Sequence, residues 1–391
     1  MLHSVLVYAK RTPIGKLCGG LSQIPAPKLT AALVQHMRET VSVPPADIEG
    51  ILLGNVLTAG VGQAPARQAA IYGGLPHSIS AITLNKVCGS GLQAVMLADQ
   101  MIRAGDAHIL LAGGQENMSL APHLFPQSRT GVRFGATSLP DHMQLDGLWD
   151  PYHNQAMGNC GELCAKEFGF SREAQDEFAQ ESYRAAQRAI ESGAFADEIV
   201  PVSVRTKNQE VRIAQDEEPF SVDLSRLATL RPAFDKDGTV TAGNASSLND
   251  GAALLMVMEE KEAEKRGLTP LARIVGHTTH AHDPLWFTTA PIHCIEKLLT
   301  KTKRKVSDVD LWEINEAFSV VGMAAMRQLG IARDTLNCHG GAVALGHPIG
   351  ASGARILVTL LHALQRKKQK VGVAAICIGG GEACSLMIER L

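Results

Sequence analysis

The chain repeats itself. DIEGILLGNV from Asp47, a helix-like segment and then SAITLNKVCGSGLQAVMLADQMIRAGDAHILLAGGQENMSL from Ser80 form one series. DVDLWEINEAF from Asp308, a helix-like segment, GHPIGASGARILVTLLHAL and VGVAAICIGGGEACSL from Val371 form another. Each runs strand, helix, Ser-Gly turn into an amphipathic helix, apolar strand, Gly-Gly-x-Glu. Asn55, Ser90 and Gly91 of the first series correspond to Asn315, Ser352 and Gly353 of the second. A duplicated α/β unit follows, with fully apolar strands buried between helical layers.

Between the halves the texture changes. Residues 119–248 begin with irregular Gly-, Pro- and Arg-rich stretches such as APHLFPQSRTGVRFG and continue into SREAQDEFAQESYRAAQRAIESG. There Ser171 reads as a helix N-cap with Glu173 behind it, and Gly193 as the stop. The expected organisation is an N-terminal half from residues 1–118 plus 249–267, an inserted loop domain over 119–248, and a C-terminal half over 268–391. SLNDGAALLMVMEEKEAEKRG supplies the strand and helix that complete the first core.

Composition removes several classes of function. The 391 residues are 45% hydrophobic and 19% charged, with a net charge of -2, so there is no cationic excess for nucleic acid or an anionic membrane. The basic runs Lys301 to Lys305 and Arg366 to Lys370 are short and read as solvated helix ends. No apolar stretch reaches the roughly 18 to 20 residues of a membrane span. The start, MLHSVLVYAKRTPIG, runs directly into a strand and looks unlike a targeting peptide, so a cytosolic protein is expected. The eight cysteines are scattered, and reduced thiols are the default. Cys160 and Cys164 share a helical face without a second ligand pair, so two half-buried helix cysteines are expected and no metal site.

The chemistry gathers at the turns. Cys88 lies between a strand ending at Val87 and the helix opening at Ser90. Unpaired N–H groups and the helix dipole there would favour thiolate, and small neighbours would leave room for a substrate. His347, in GHPIGASG, occupies the matching turn of the second half, which a pseudo-twofold axis would bring within hydrogen-bond reach of Cys88. His339, in NCHGGA, reads as a structural turn residue. Cys377 ends a buried strand before three glycines whose N–H groups suit an oxyanion. Asn315 and Glu316 end another strand, with helix capping as the simpler role for each. Two cysteines, a histidine and an asparagine at strand ends describe a thiol-based acyl-transfer site.

These motifs resemble the thiolase family, in its acetyl-CoA acetyltransferase branch. The likeness runs through RTPIG, NKVCGSGLQAV, GGQENMS, LRPAFDKDGTVTAGNAS, SLNDGAA, NEAF, GHPIGASGAR and CIGGG, nearly the whole chain. The resemblance implies a five-layered αβαβα fold with a loop domain inserted in the first half, and a homotetramer or homodimer. It implies reversible acyl transfer between coenzyme A and a short 3-ketoacyl-CoA, with coenzyme A as substrate and no cofactor or metal. Cys88 matches the acyl-carrying nucleophile, His347 its base, and Cys377 the acid and base toward the acetyl methyl carbon. Asn315 matches the residue holding a water in one oxyanion hole, while the N–H groups of Cys88 and Gly379 match the other. Ser246, Phe234, Ala317 and Phe318 match the lining of the pantetheine tunnel.

Three places depart from the family pattern. Ala156-Met157-Gly158 stands where His-Met-Gly is common in the loop over the site, Phe220 of DEEPF falls at an arginine position, and HDPLWFTTAP puts Phe287 where a methionine lines the acyl pocket. Phe287 either narrows that pocket or turns away and opens it. A thiolase acting on longer chains and a catalytically silent CoA or lipid carrier are the alternatives. A ketoacyl synthase is disfavoured by the presence of Cys377 with Asn315.

Overall fold

The computed structural model describes residues 2–205 and 209–391. One mixed sheet runs through the molecule in the order Leu311–Ile314, Val371–Ile378, Glu382–Arg390, Ala272–Ala281, Ser4–Arg11, Asn249–Glu259, Ile109–Asn117, Gly50–Gly54 and Ser80–Leu84. The two-residue strand Gly15–Lys16 adds to Asn249–Glu259. The duplicated halves meet at its middle, where Val5 pairs with Arg273 and Leu6 with Ala272. On its other edge Ser4–Arg11 pairs along nearly its whole length with Asn249–Glu259.

Alternating side chains divide each strand between two cores. In Asn249–Glu259, Leu254, Met256 and Met258 face an outer core with Leu29, Leu33, Ala66 and Ala70. Ala253, Leu255 and Val257 face the central core instead. In Val371–Ile378, Ala374, Ile376 and Ile378 face the central core, whereas Val373, Ala375 and Cys377 face a third, with Phe287, Ile295, Phe318 and Val321. The succession is outer helices Ala26–Thr40 and Pro65–Tyr72, sheet, central helices Ser90–Ala104 and Ile349–Lys367, sheet, and outer helices Ala290–Thr302 and Ser319–Leu329.

The duplicated Ser-Gly motif explains how the central helices cross. A Cβ on Gly91 would lie 2.8 Å from the Ala354 nitrogen, and one on Gly353 would lie 2.5 Å from the Leu92 nitrogen. Each glycine admits the other helix's backbone. Each of these helices also follows one of the two chemistry-bearing turns.

The segment between the halves carries the small sheets Trp149–Asp150 with Gln155–Ala156 and Val202–Arg205 with Glu210–Ile213. Its long helix spans Arg172–Glu191. Ser171 Oγ accepts from the Ala174 N–H at 3.2 Å, and Gly193 follows at a φ of 67°, as the sequence predicts. The last strand of the first half does lie at Asn249–Glu259, followed by the short helix Glu260–Lys265. Among the described residues, no helix is long and apolar enough to cross a membrane. No group of three or more His, Cys, Asp or Glu among them can hold a metal.

Candidate active site

The strand before the first turn ends at Leu84, three residues earlier than the sequence suggests. Asn85 to Gly89 form a tight turn with Val87 at a φ of 47°. Ser90 closes it: its hydroxyl donates to the Val87 carbonyl at 2.7 Å and accepts the Lys86 N–H at 2.7 Å. Gly89 is small for a reason other than substrate access. A Cβ there would lie 2.3 Å from Ile378 Cδ1, so the glycine lets this turn pack on the other half's strand.

Cys88 is part-exposed on a cavity, yet protein surrounds its sulfur. Desolvation pushes its thiol up to about 11, and the Gly379 N–H and its own N–H offset only part of that. The expected thiolate preference is therefore overturned. Desolvation outweighs the helix start because the helix begins two residues further on, at Ser90. What the site does supply is a pair of N–H groups close to one sulfur, that of Cys88 from this turn and that of Gly379 from the other half.

His347 enters the same cavity from the other half. Its N–H donates to Asn249 Oδ1 at 2.9 Å, and its Nδ1 lies 2.5 Å from Ser352 Oγ. Its Nε2 is buried without a protein partner, so the anticipated hydrogen bond to Cys88 is not formed in this state. Burial, with the Arg355 charge in support, lowers its pKa to about 3. The pair rests as thiol and neutral imidazole.

Cys377 is 1% exposed, behind the cavity wall. Burial raises its thiol pKa strongly, and the neighbouring Cys88 raises it further. Asn315 is equally buried, and neither its Oδ1 nor its Nδ2 has a protein partner. That excludes the capping role. Nor does Glu316 cap the helix that follows: its carboxylate takes hydrogen bonds from Ser182 Oγ at 2.8 Å and Asn337 Nδ2 at 2.7 Å.

The cavity has a volume of about 410 Å³. Nine of the eleven sequence-nominated residues line it: Cys88, His347, Gly379, Met157, Phe234, Ser246, Phe287, Ala317 and Phe318. Cys377 and Asn315 are the two outside its lining. Ser246 Oγ donates to the Ala317 carbonyl at 3.0 Å, tying the inserted segment to the second half. The Phe287 and Phe234 rings stand edge-on to Phe318, with centroids 6.3 and 6.0 Å from it. Phe287 is thus buried in the wall of the cavity and does not turn out to solvent. Gly158 makes room for Phe234, since a Cβ there would lie 2.2 Å from its ring.

Sequence reasoning missed three supports. Asn249 holds the His347 backbone, and Ser352 touches the imidazole. Glu116 takes N–H groups from Val56, Leu57 and Gly350 and from the Asn55 side chain, at 2.7–3.1 Å. Burial raises the pKa of this carboxyl to about 7 even so. Its place in the repeated Gly-Gly-x-Glu motif was the available signal. Cys160 and Cys164 are fully buried, more so than expected, and His339 packs edge-on against Phe195 at 5.9 Å, a structural role.

Residues 4–261 match the family model described as Thiolase, N-terminal domain, and residues 268–390 the one described as Thiolase, C-terminal domain. The chain belongs to the thiolase family. An acetyl-CoA acetyltransferase of Cupriavidus necator is 49% identical over 392 residues, covering 100% of both chains. One from Pseudomonas aeruginosa is 48% identical at the same coverage. Among solved structures, the Bacillus anthracis acetyl-CoA acetyltransferase superposes with a TM-score of 0.98 at 39% identity, covering 100% of this thiolase and 99% of that chain. A thiolase from Ascaris suum in complex with coenzyme A gives 0.95 at 41% identity, with 100% coverage of both.

Proposed function

We propose that this thiolase is an acetyl-CoA acetyltransferase, interconverting acetoacetyl-CoA plus coenzyme A with two molecules of acetyl-CoA. The observation that carries the reading is the convergence of Cys88, His347 and Gly379 on one cavity, with Cys377 and Asn315 behind its wall. In cleavage, Cys88 Sγ attacks the C3 carbonyl of acetoacetyl-CoA and its proton passes to His347 Nε2. The C2–C3 bond breaks toward the thioester, and the resulting acetyl-CoA enolate takes a proton at C2 from the Cys377 thiol. Coenzyme A then gives its thiol proton to the Cys377 thiolate and attacks acetyl-Cys88. Cys88 leaves and recovers its proton from His347.

Each step places charge on a thioester or ketone oxygen. The Cys88 and Gly379 N–H groups serve one such oxygen. His347 with a water held by the Asn315 amide serves the other, each arrangement contributing on the order of 3 kcal/mol. Coenzyme A is a substrate here, and no metal or further cofactor is required.

The aromatic wall supports a short acyl group. Phe287 and Phe318 stand side by side in the cavity wall, with centroids 6.3 Å apart. Exposed Leu120, Phe125, Phe134 and Leu139, all between residues 119 and 140, support assembly into a homotetramer or homodimer through the inserted domain. Eight unpaired cysteines fit the reducing cytosol. The test is coenzyme-A-dependent cleavage of 3-ketoacyl-CoA substrates of increasing length. Rates that collapse beyond acetoacetyl-CoA support the reading. Retained rates on long chains would make this a fatty-acid-degrading thiolase, and no cleavage with any substrate would leave a silent carrier.

A further inference from the structure

Ser352 touches the proposed base, and the mechanism above gives it no role. It is fully buried in the first turns of the helix Ile349–Lys367. Its Oγ lies 2.5 Å from His347 Nδ1 and 2.9 Å from the Pro348 carbonyl oxygen. A serine hydroxyl has one proton, and a carbonyl oxygen can only accept. The Pro348 carbonyl also takes the Ala351 and Ser352 N–H groups, so the one hydroxyl proton goes either to it or to Nδ1; with the proton on Pro348, a lone pair faces the imidazole. Nδ1 must then be the protonated nitrogen, which leaves Nε2 with its lone pair free and without a protein partner.

We infer that Ser352 is a positioning residue that fixes His347 as the Nδ1–H tautomer and thereby makes Nε2 the base. The inference rests on the reading of His347 given above. A second hold comes from Asn249, whose Oδ1 accepts the His347 N–H and whose Nδ2 donates to the Gly15 carbonyl at 3.0 Å. Gly346, at a φ of 100°, keeps that amide close: a Cβ there would lie 2.4 Å from it. Ring and backbone are thus held separately.

The matching serine of the first half is used in a comparable way. Ser90, the counterpart of Ser352, also donates to a carbonyl of its turn, that of Val87, and accepts an N–H, that of Lys86. The same serine holds a backbone turn under the nucleophile in one half and an imidazole in the other. In one half the hydroxyl oxygen meets an amide N–H, in the other a histidine nitrogen.

Nitrogen-15 NMR of the histidine-labelled protein tests the tautomer, with the His347 signals assigned by their loss in His347→Asn. Protonated Nδ1 and bare Nε2 are expected in the wild type, with mixed tautomers in Ser352→Ala. Protonated Nε2 in the wild type would overturn the inference. Acetyl transfer from acetyl-CoA to Cys88 should slow roughly 10- to 100-fold in Ser352→Ala, a part of the roughly 100- to 10,000-fold that a general base contributes, with KM little changed. Ser352→Thr, which keeps the hydroxyl, should restore most of the rate. In a His347→Ala background, Ser352→Ala should cost nothing further, and an equal loss in both backgrounds would assign Ser352 a merely structural role. A wild type that never becomes acylated would sink the reading of the site, while the NMR result would still decide the tautomer.

Discussion

The crossing of the two central helices sets the distance between the cysteine turn and the histidine turn, and Gly353→Ala perturbs it directly. The new Cβ would lie 2.5 Å from the Leu92 nitrogen and 2.8 Å from Leu92 Cβ, against 3.4 Å or more for ordinary contact. Backbone cannot rotate aside as a side chain can, so the helices must separate by about 0.9 Å at that point. Leu92 is four residues from Cys88, and Gly353 six from His347, so both turns move with their helices. Overpacking of this kind costs roughly 1 to 3 kcal/mol of stability. A misplacement of about 1 Å between reacting groups can cost on the order of 100-fold in rate. Urea denaturation and the rate of Cys88 acylation by acetyl-CoA would measure the two effects on one preparation. Gly161→Ala is the control, because its Cβ would meet Phe318 and Val240 at 3.5 Å, an ordinary contact. A Gly353→Ala protein as stable and as active as the wild type would refute the idea that the glycines set the approach of the turns.

Cys377→Ala should still be acylated by acetyl-CoA but should not exchange the methyl protons of acetyl-CoA with solvent; persistent exchange would assign that proton transfer to another group. Phe287→Ala should raise the rate on longer 3-ketoacyl-CoA chains relative to acetoacetyl-CoA, and an unchanged preference would place the length limit elsewhere. Because His347 rests near 3 and Cys88 near 11, imidazole can accept and thiol can give a proton across the neutral range. The pH profile of kcat/KM should therefore be flat from about pH 5 to 9, falling on the acid side only as His347 is protonated; an acid limb centred near 6.5, the ordinary histidine value, would contradict that resting state. Glu116→Gln puts an amide NH₂ where two N–H donors point and should cost roughly 1 to 3 kcal/mol in denaturation, and an unchanged midpoint would show that the clamp contributes nothing.

The duplicated architecture was legible because repetition needs no partner to be seen. Asn55 and Asn315, Ser90 and Ser352 mark matching points within each half. The cap at Ser171 and the stop at Gly193 were legible for a related reason: both are local hydrogen-bond and φ requirements. What sequence could not show was contact between distant segments. Gly89 looks like open space until Ile378 is seen packed on it, and the Arg11–Asp216–Glu198 ion cluster joins residues about two hundred positions apart. The sign of the Cys88 shift was lost in the same way. A helix start is visible in sequence, whereas the desolvation that outweighs it comes from segments distant in sequence, Val56, Leu57, Met118 and Ile349 among them. Ser352 was legible as a repeat position, but its bond to His347 is a matter of side-chain direction within one turn.

The most direct measurement is the intact and peptide mass of the protein after incubation with acetyl-CoA, for the wild type, Cys88→Ala and Cys377→Ala. A single acetyl group on the Cys88 peptide of the wild type and of Cys377→Ala, and none on Cys88→Ala, is the expected result. An acetyl group retained by Cys88→Ala, or none on the wild type, would contradict the assignment of Cys88 as the acyl carrier.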